Sequence, residues 1–126
     1  MLQTFRIMSL ILLLCTSLIA QDLKSIELPR PDTTGGMPLM QALKNRHSSR
    51  EFSTDTLSLP VLSNLLWAAC GVNRTVDGKR TAPSAMNWQE IDVYIATVHG
   101  LFLYDHTKHA LQPILSEDIR VKTGMQ

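Results

Sequence analysis

Residues 91–105 read IDVYIATVHGLFLYD, and this stretch decides the fold class. Ile91, Val93 and Ile95 alternate with less apolar neighbours, which is the period-two pattern of a strand with one buried face. Gly100 then offers the backbone freedom of a tight turn, and the run LFLY follows it directly. A strand, a glycine turn and a second strand predict a β-hairpin.

Two helices are predicted upstream of this hairpin. The first begins with Pro38 as a favoured first helical residue and ends near Arg46. Its apolar residues recur at helical spacing, namely Leu39, Met40 and Leu43. The second follows Ser58, a good N-cap residue, and stops at Gly71. It is apolar on most faces, so we expect it to be central.

The remaining segments complete an α+β pattern. Residues 73–82 are polar and predict a mobile loop, and residues 83–89 predict a turn or short helix that opens with a proline. Residues 111–115 predict a third short strand. The acidic run at 116–118 is typical of a helix start and predicts a third helix.

Composition excludes several classes of protein. The chain has 126 residues and a formal charge of +1, which argues for one domain and against a strongly basic nucleic-acid binder. Two cysteines cannot form a disulfide framework. His99, His106 and His109 lack the carboxylate or thiolate spacing of a metal site, so we predict that they lie on a solvated edge.

The N-terminus has the layout of an export signal. Residues 1–20 carry one charge, Arg6, before an uncharged apolar run that ends at Ala20, where we expect cleavage of a signal peptide. Two alternatives remain, a lipid anchor at Cys15 and an uncleaved anchor or buried helix. Residues 21–37 contain two prolines and two glycines with little periodicity, which predicts an extended arm.

A basic segment after the first helix is a candidate anion site. In the run NRHSSREF, Arg46, Ser48 and Arg50 alternate, so an extended backbone would turn all three side chains to one side. Two guanidiniums and a hydroxyl suit a phosphate or another anionic oxygen group. The alternative is a solvated charged loop.

A second candidate is the turn at residues 82–89, APSAMNWQ. Asn87 and Gln89 offer amide donors and acceptors beside an aromatic residue, and such groups can recognise the polar edge of a planar ring. The alternative is ordinary capping of a turn.

Taken together, these segments resemble the flavin-dependent nitroreductase family. The run RHSSREF is similar to the family's N-terminal signature, and LLWAACGVNR resembles the second helix of its secreted and SagB-type members. The run RTAPSAMNWQ resembles the family's proline-serine turn, and GLFLYD also fits. The resemblance covers the chain from about Leu28 to its end.

The resemblance implies an α+β fold, with a central, mainly antiparallel sheet flanked by helices, and FMN held non-covalently between the subunits of a homodimer. Arg46 and Ser48 match positions that hold the flavin phosphate, and Arg50 matches a basic position near the pyrimidine side of the ring. Asn87 matches a ring-edge hydrogen-bonding position, and Gln89 a neighbour that supports it. NADH or NADPH would reduce flavin N5, which would pass a hydride to an acceptor, with no catalytic side chain needed.

This sequence departs from the family at two places. Glu90 stands where many members have proline. Family chains also continue well beyond Gln126, so residues 38–126 correspond to the N-terminal portion of the domain and the C-terminal part is absent. The alternatives are therefore an exported, non-catalytic fragment or interaction module that retains part of the fold, and a chain truncated by gene damage or sequence assembly.

Overall fold

A computed structural model describes residues 23–123. The predicted signal peptide at 1–20, including Cys15, lies outside the described residues, as do residues 124–126. Within the described range, no helix is both long and apolar enough to cross a membrane.

Residues 23–123 contain two α-helices and six short strands. The helices are α1 (Leu39–Asn45) and α2 (Leu59–Cys70). The strands are β1 (Ile26–Glu27), β2 (Val72–Arg74), β3 (Lys79–Arg80), β4 (Tyr94–Thr97), β5 (Gly100–Asp105) and β6 (Ala110–Leu115). The content is therefore α+β, as the sequence predicts.

An antiparallel sheet in the order β1-β6-β5-β4 is the centre of the fold. The hairpin predicted from residues 91–105 is confirmed from Tyr94 onward, with Ile95 opposite Phe102 and Thr97 opposite Gly100. Ile91, predicted on the buried face of the first strand, precedes β4 and is exposed. The predicted third strand is β6, which pairs Tyr104 with Leu111. Along β5 every second residue is buried, which places the side chains of Phe102 and Tyr104 in the core.

The N-terminal segment takes part in this sheet. Within the predicted arm, β1 pairs with β6 through Ile26 opposite Leu111. Leu28 is buried, and its backbone N–H donates to the carbonyl of His109 (3.1 Å). The segment is thus extended in part because it forms an edge strand.

Helix α2 covers the sheet with only one of its faces. Ser63, Leu66 and Cys70 are buried, and Leu66 and Cys70 join the core cluster. The opposite side of the helix is apolar but exposed at Val61 and Leu65, and Leu59 in the first turn is also exposed. The expectation of a central helix is therefore wrong for this face. Helix α1 contains no buried residue.

Two local predictions are corrected. The segment predicted as a mobile polar loop contains the antiparallel hairpin β2–β3, because Gly78 adopts a positive φ of 62° in the turn and Arg80 is anchored in the interior. The predicted third helix is, up to residue 123, a single 3-10 turn at Arg120–Lys122. There Asp118 accepts hydrogen bonds from the backbone N–H (3.1 Å) and the guanidinium of Arg120.

Candidate functional site

The basic segment between the two helices is open to solvent. Arg46 closes α1 in an extended conformation, and Arg46, Ser48 and Arg50 are all exposed. Within residues 23–123 neither guanidinium forms an ion pair. Among the described residues the segment therefore presents two cations without ion pairs and a hydroxyl, which can receive an anionic group.

The turn at residues 83–89 has a strained backbone. Met86, Asn87 and Gln89 have φ values of 52°, 58° and 54°, in the left-handed region that few side chains favour. Such residues cost on the order of 1–3 kcal/mol each and persist only where surrounding bonds hold them. The conformation of this turn therefore requires strong local contacts.

Gln89 supplies those contacts with all of its polar groups. Its backbone N–H donates to Ser84 Oγ (2.6 Å), and its backbone carbonyl accepts from Arg80 Nη2 (3.0 Å). Its side-chain Oε1 accepts from Arg80 Nε (2.8 Å). Its Nε2 donates to the carbonyl of Gly78 and to Asn87 Oδ1, both at 3.0 Å. The structure thus joins Asn87 and Gln89, two of the residues singled out from the sequence.

Arg80 is the organising residue that sequence reasoning missed. It is only 8% exposed, and its Nη1 also donates to Cys70 Sγ (3.0 Å) and to the carbonyl of Ile91 (3.1 Å). No carboxylate within residues 23–123 forms an ion pair with it. In the sequence it is one of several cations in a polar stretch, and nothing there distinguishes it from Arg74 or Lys79.

Two cavities adjoin this turn. A cavity of about 110 Å³ is lined by Cys70, Arg80 and Gln89 among others. A larger cleft of about 400 Å³ is lined by cations and by Asn87, and its lining contains no acidic residue. These cations are Arg74, Lys79 and Arg80. No residue of the 46–50 segment lines either cavity, so the two candidate segments remain separate.

The histidines do not form a metal site. Within the described residues, no group of three or more His, Cys, Asp or Glu side chains is placed to hold a metal ion. The prediction that His109 lies on a solvated edge is wrong, because its Nε2 is 2.7 Å from the Oγ of the buried Ser63 and its Nδ1 is 2.8 Å from Tyr104 Oη. Burial, with the positive charge of Arg80, lowers the pKa of His106.

Comparisons with known proteins identify the family. The sequence model of the nitroreductase family matches residues 43–124. A Methanocaldococcus jannaschii protein named "Putative nitroreductase" is 30% identical over 101 residues, which cover 75% of this chain and 50% of that protein. The crystal structure of a "putative nitroreductase" from Ralstonia eutropha JMP134 superposes with a TM-score of 0.78 at 48% identity, over 86% of this chain and 51% of that one. The chain spans about half the length of both relatives. It belongs to the nitroreductase family.

Proposed function

We propose that this chain is the flavin-binding N-terminal portion of an FMN-dependent oxidoreductase. The observation that carries the proposal is the exposed segment with Arg46, Ser48 and Arg50, whose guanidiniums are free of ion pairs within residues 23–123. The segment lies inside the range matched by the family. A hydrogen-bonding set of two guanidiniums and a hydroxyl fits a phosphate monoester.

The second segment fits the other end of the same ligand. Asn87 is exposed, lines a cleft without acidic residues, and among residues 23–123 its side chain forms hydrogen bonds only through Oδ1. Its Nδ2 can therefore donate to an acceptor on a ring edge. In the proposed site, Arg46 and Ser48 hold the phosphate, Arg50 lies near the pyrimidine side, Asn87 binds the ring edge and Gln89 supports Asn87.

FMN, when bound, supplies the redox chemistry by accepting a hydride from NADH or NADPH and passing it to an acceptor. The protein's part is to bind and orient the ring and to stabilise the negative charge that reduction adds. Arg50 is the residue proposed for that electrostatic role, since a fixed cation favours the anionic form. No side chain of the site is needed as an acid, a base or a nucleophile.

The proposal includes a homodimer and export through residues 1–20. Exposed apolar side chains support an additional interface, since α1 exposes three of them and α2 exposes a further three. They are Leu39, Met40 and Leu43 in α1, and Leu59, Val61 and Leu65 in α2. Contiguous exposed apolar surface is typical of protein interfaces. A second copy, completed by a C-terminal part as in the longer relatives, would cover it.

An FMN titration of the 126-residue chain, followed by quenching of flavin fluorescence, tests this function. Arg46→Ala should weaken FMN binding by roughly 10- to 100-fold, because it removes a charged hydrogen bond to the phosphate. Lys44→Ala is the matched control, since it removes an exposed cation two residues away, on α1.

Two outcomes would contradict the proposal. Equal FMN affinity in Arg46→Ala and Lys44→Ala would exclude the phosphate role of Arg46. A folded, monodisperse wild-type chain that does not bind FMN would instead favour the alternative of a non-catalytic interaction module.

A further inference from the structure

Arg80 imposes a direction on the hydrogen bonds around it. A guanidinium can only donate, so the side-chain atom of Gln89 that faces Arg80 Nε must be the carbonyl oxygen Oε1. These atoms are 2.8 Å apart. Arg80 also donates to the backbone carbonyl of Gln89 (3.0 Å), so it holds this residue at two points.

The orientation of the Gln89 side-chain amide in turn determines the orientation of the Asn87 side-chain amide. With Oε1 turned toward Arg80, the amide nitrogen of Gln89 faces the Gly78 carbonyl and the Asn87 side chain, each at 3.0 Å. An amide nitrogen cannot accept, so Asn87 must present Oδ1 to Gln89. In the described part of the chain this leaves Nδ2 of Asn87 without a hydrogen-bond partner, and Asn87 lines the cleft with Arg74 and Lys79.

We propose that Arg80 is a positioning residue of the flavin site, which acts through Gln89 to fix the Asn87 amide with its NH₂ group toward the ligand. Asn87 then recognises an acceptor atom, a carbonyl oxygen or an unprotonated ring nitrogen, on the edge of the bound ring. This inference rests on the function proposed above, because the ligand is the flavin of that proposal.

Burial and backbone strain explain why an arginine serves at this position. Arg80 is almost fully buried without an ion pair in residues 23–123, and its forked donors reach Gln89, Cys70 and Ile91 at the same time. A lysine ammonium is a point charge and cannot span this geometry. Both Asn87 and Gln89 are in left-handed conformations, so the turn depends on these bonds to keep its shape.

The variant Gln89→Glu tests whether Gln89 orients the Asn87 side chain, because it keeps the contact with Arg80 that supports the fold. A glutamate still accepts from Arg80 (2.8 Å in the wild type) and adds an ion pair that offsets the lost hydrogen bond to the Gly78 carbonyl, so the thermal midpoint should stay close to that of the wild type. It cannot donate to Asn87, so the Asn87 amide should turn over, give its NH₂ to the carboxylate and present Oδ1 to the cleft. FMN affinity should then fall by about tenfold. Gln112→Glu on β6 is the matched control and should bind FMN like the wild type.

A ¹⁵N spectrum of the side-chain amides in the flavin-free chain tests the orientation directly. The Asn87 NH₂ signal, identified by its loss in Asn87→Asp, should shift in Gln89→Glu because it gains a carboxylate acceptor. If the wild type fails to bind FMN, the proposed function is wrong, and this spectrum alone decides the orientation. An unchanged Asn87 signal would overturn the inference.

Asn87→Asp gives a second test, and because Asn87 is exposed this substitution introduces no charge at a buried position. The introduced carboxylate still accepts from Gln89 but replaces the outward donor with an oxygen, so FMN affinity should again fall by about tenfold. If Asn87→Asp, or a folded Gln89→Glu with the shifted signal, binds FMN as tightly as the wild type, Arg80 has only a structural role and the inference fails.

Discussion

His109 joins three separate parts of the chain through one side chain. Its Nε2 lies 2.7 Å from Ser63 Oγ on α2, and Ser63 Oγ itself donates to the carbonyl of Pro29 in the N-terminal segment (2.5 Å). Its Nδ1 lies 2.8 Å from Tyr104 Oη in β5. Because Ser63 and Tyr104 are both buried, this chain of polar contacts fixes the arm, the helix and the sheet relative to one another.

The raised pKa of Tyr104 predicts that the free energy of unfolding falls at high pH. Burial first, and then the negative charges of Cys70 and Asp105, raise the pKa of Tyr104 from 10.0 to about 12. Between these values the unfolded chain releases the phenol proton and the folded chain keeps it. The stabilisation is therefore complete below pH 10 and is lost as the pH rises toward 12, by up to about 1.4 kcal/mol per pH unit.

Urea unfolding at pH 9, 10 and 11 measures this effect. The free energy of unfolding should fall more steeply with pH in the wild type than in Tyr104→Phe, which has no phenol to ionise at this position. Tyr94→Phe removes an exposed phenol of the same sheet and is the control, which keeps Tyr104 and so the steep slope. Parallel slopes in wild type and Tyr104→Phe would show that Tyr104 is not the cause.

The β4–β5 turn depends on the absence of a side chain at Gly100. This residue has a φ of +144°, and a Cβ added there would overlap the carbonyl oxygen of Leu115 on β6. Gly78, in the β2–β3 turn, has a φ of +62°, but a Cβ there would meet nothing within 4 Å. A side chain at Gly78 would therefore cause backbone strain alone, whereas a side chain at Gly100 would cause both backbone strain and steric overlap.

Gly100→Ala should destabilise the chain much more than Gly78→Ala. For Gly78→Ala we expect a loss of about 1–2 kcal/mol, the cost of a left-handed alanine. For Gly100→Ala we expect a loss of at least about 3 kcal/mol, since strand β6 must also move. Urea unfolding midpoints measure both changes, and equal losses would contradict the packing described for β6.

The longer segments with apolar periodicity were predicted correctly as helices or strands more often than the short polar segments. The β4–β5 hairpin and both helices follow from apolar periodicity, which in the hairpin and in α2 reflects burial of one face. The β2–β3 hairpin has two- and three-residue strands and no such periodicity, and Arg80 in it is buried by contacts with residues up to eleven positions away. Such contacts leave no local pattern in the sequence.

The candidate site was predictable only in part for the same reason. Asn87 and Gln89 stand out because an amide pair in a proline-led turn suits ligand recognition, and the structure joins them by a hydrogen bond. Arg46, Ser48 and Arg50 stand out by alternate spacing, and their roles stay predictions. Arg80, which orients the amide pair, carries no signal of its own in the sequence.

At the scale of the whole molecule, the sheet within residues 23–123 packs against one side of α2, and both helices expose apolar side chains. The relatives are about twice as long as the matched region, so in them further chain is available to cover such surface. The basic segment and the Asn87 cleft do not share a cavity here. In the proposed homodimer of this chain, the partner subunit would bring the two ends of the flavin site together.

The basic segment with Arg46, Ser48 and Arg50 is proposed to bind the phosphate of FMN, and this is the central claim. The most direct measurement is the ratio of the dissociation constants of riboflavin and FMN for the wild-type chain, since the two ligands share the ring and differ in the phosphate. We predict that FMN binds at least about tenfold more tightly, and that Arg46→Ala reduces this ratio toward one. Equal affinities for riboflavin and FMN in the wild type would contradict the claim.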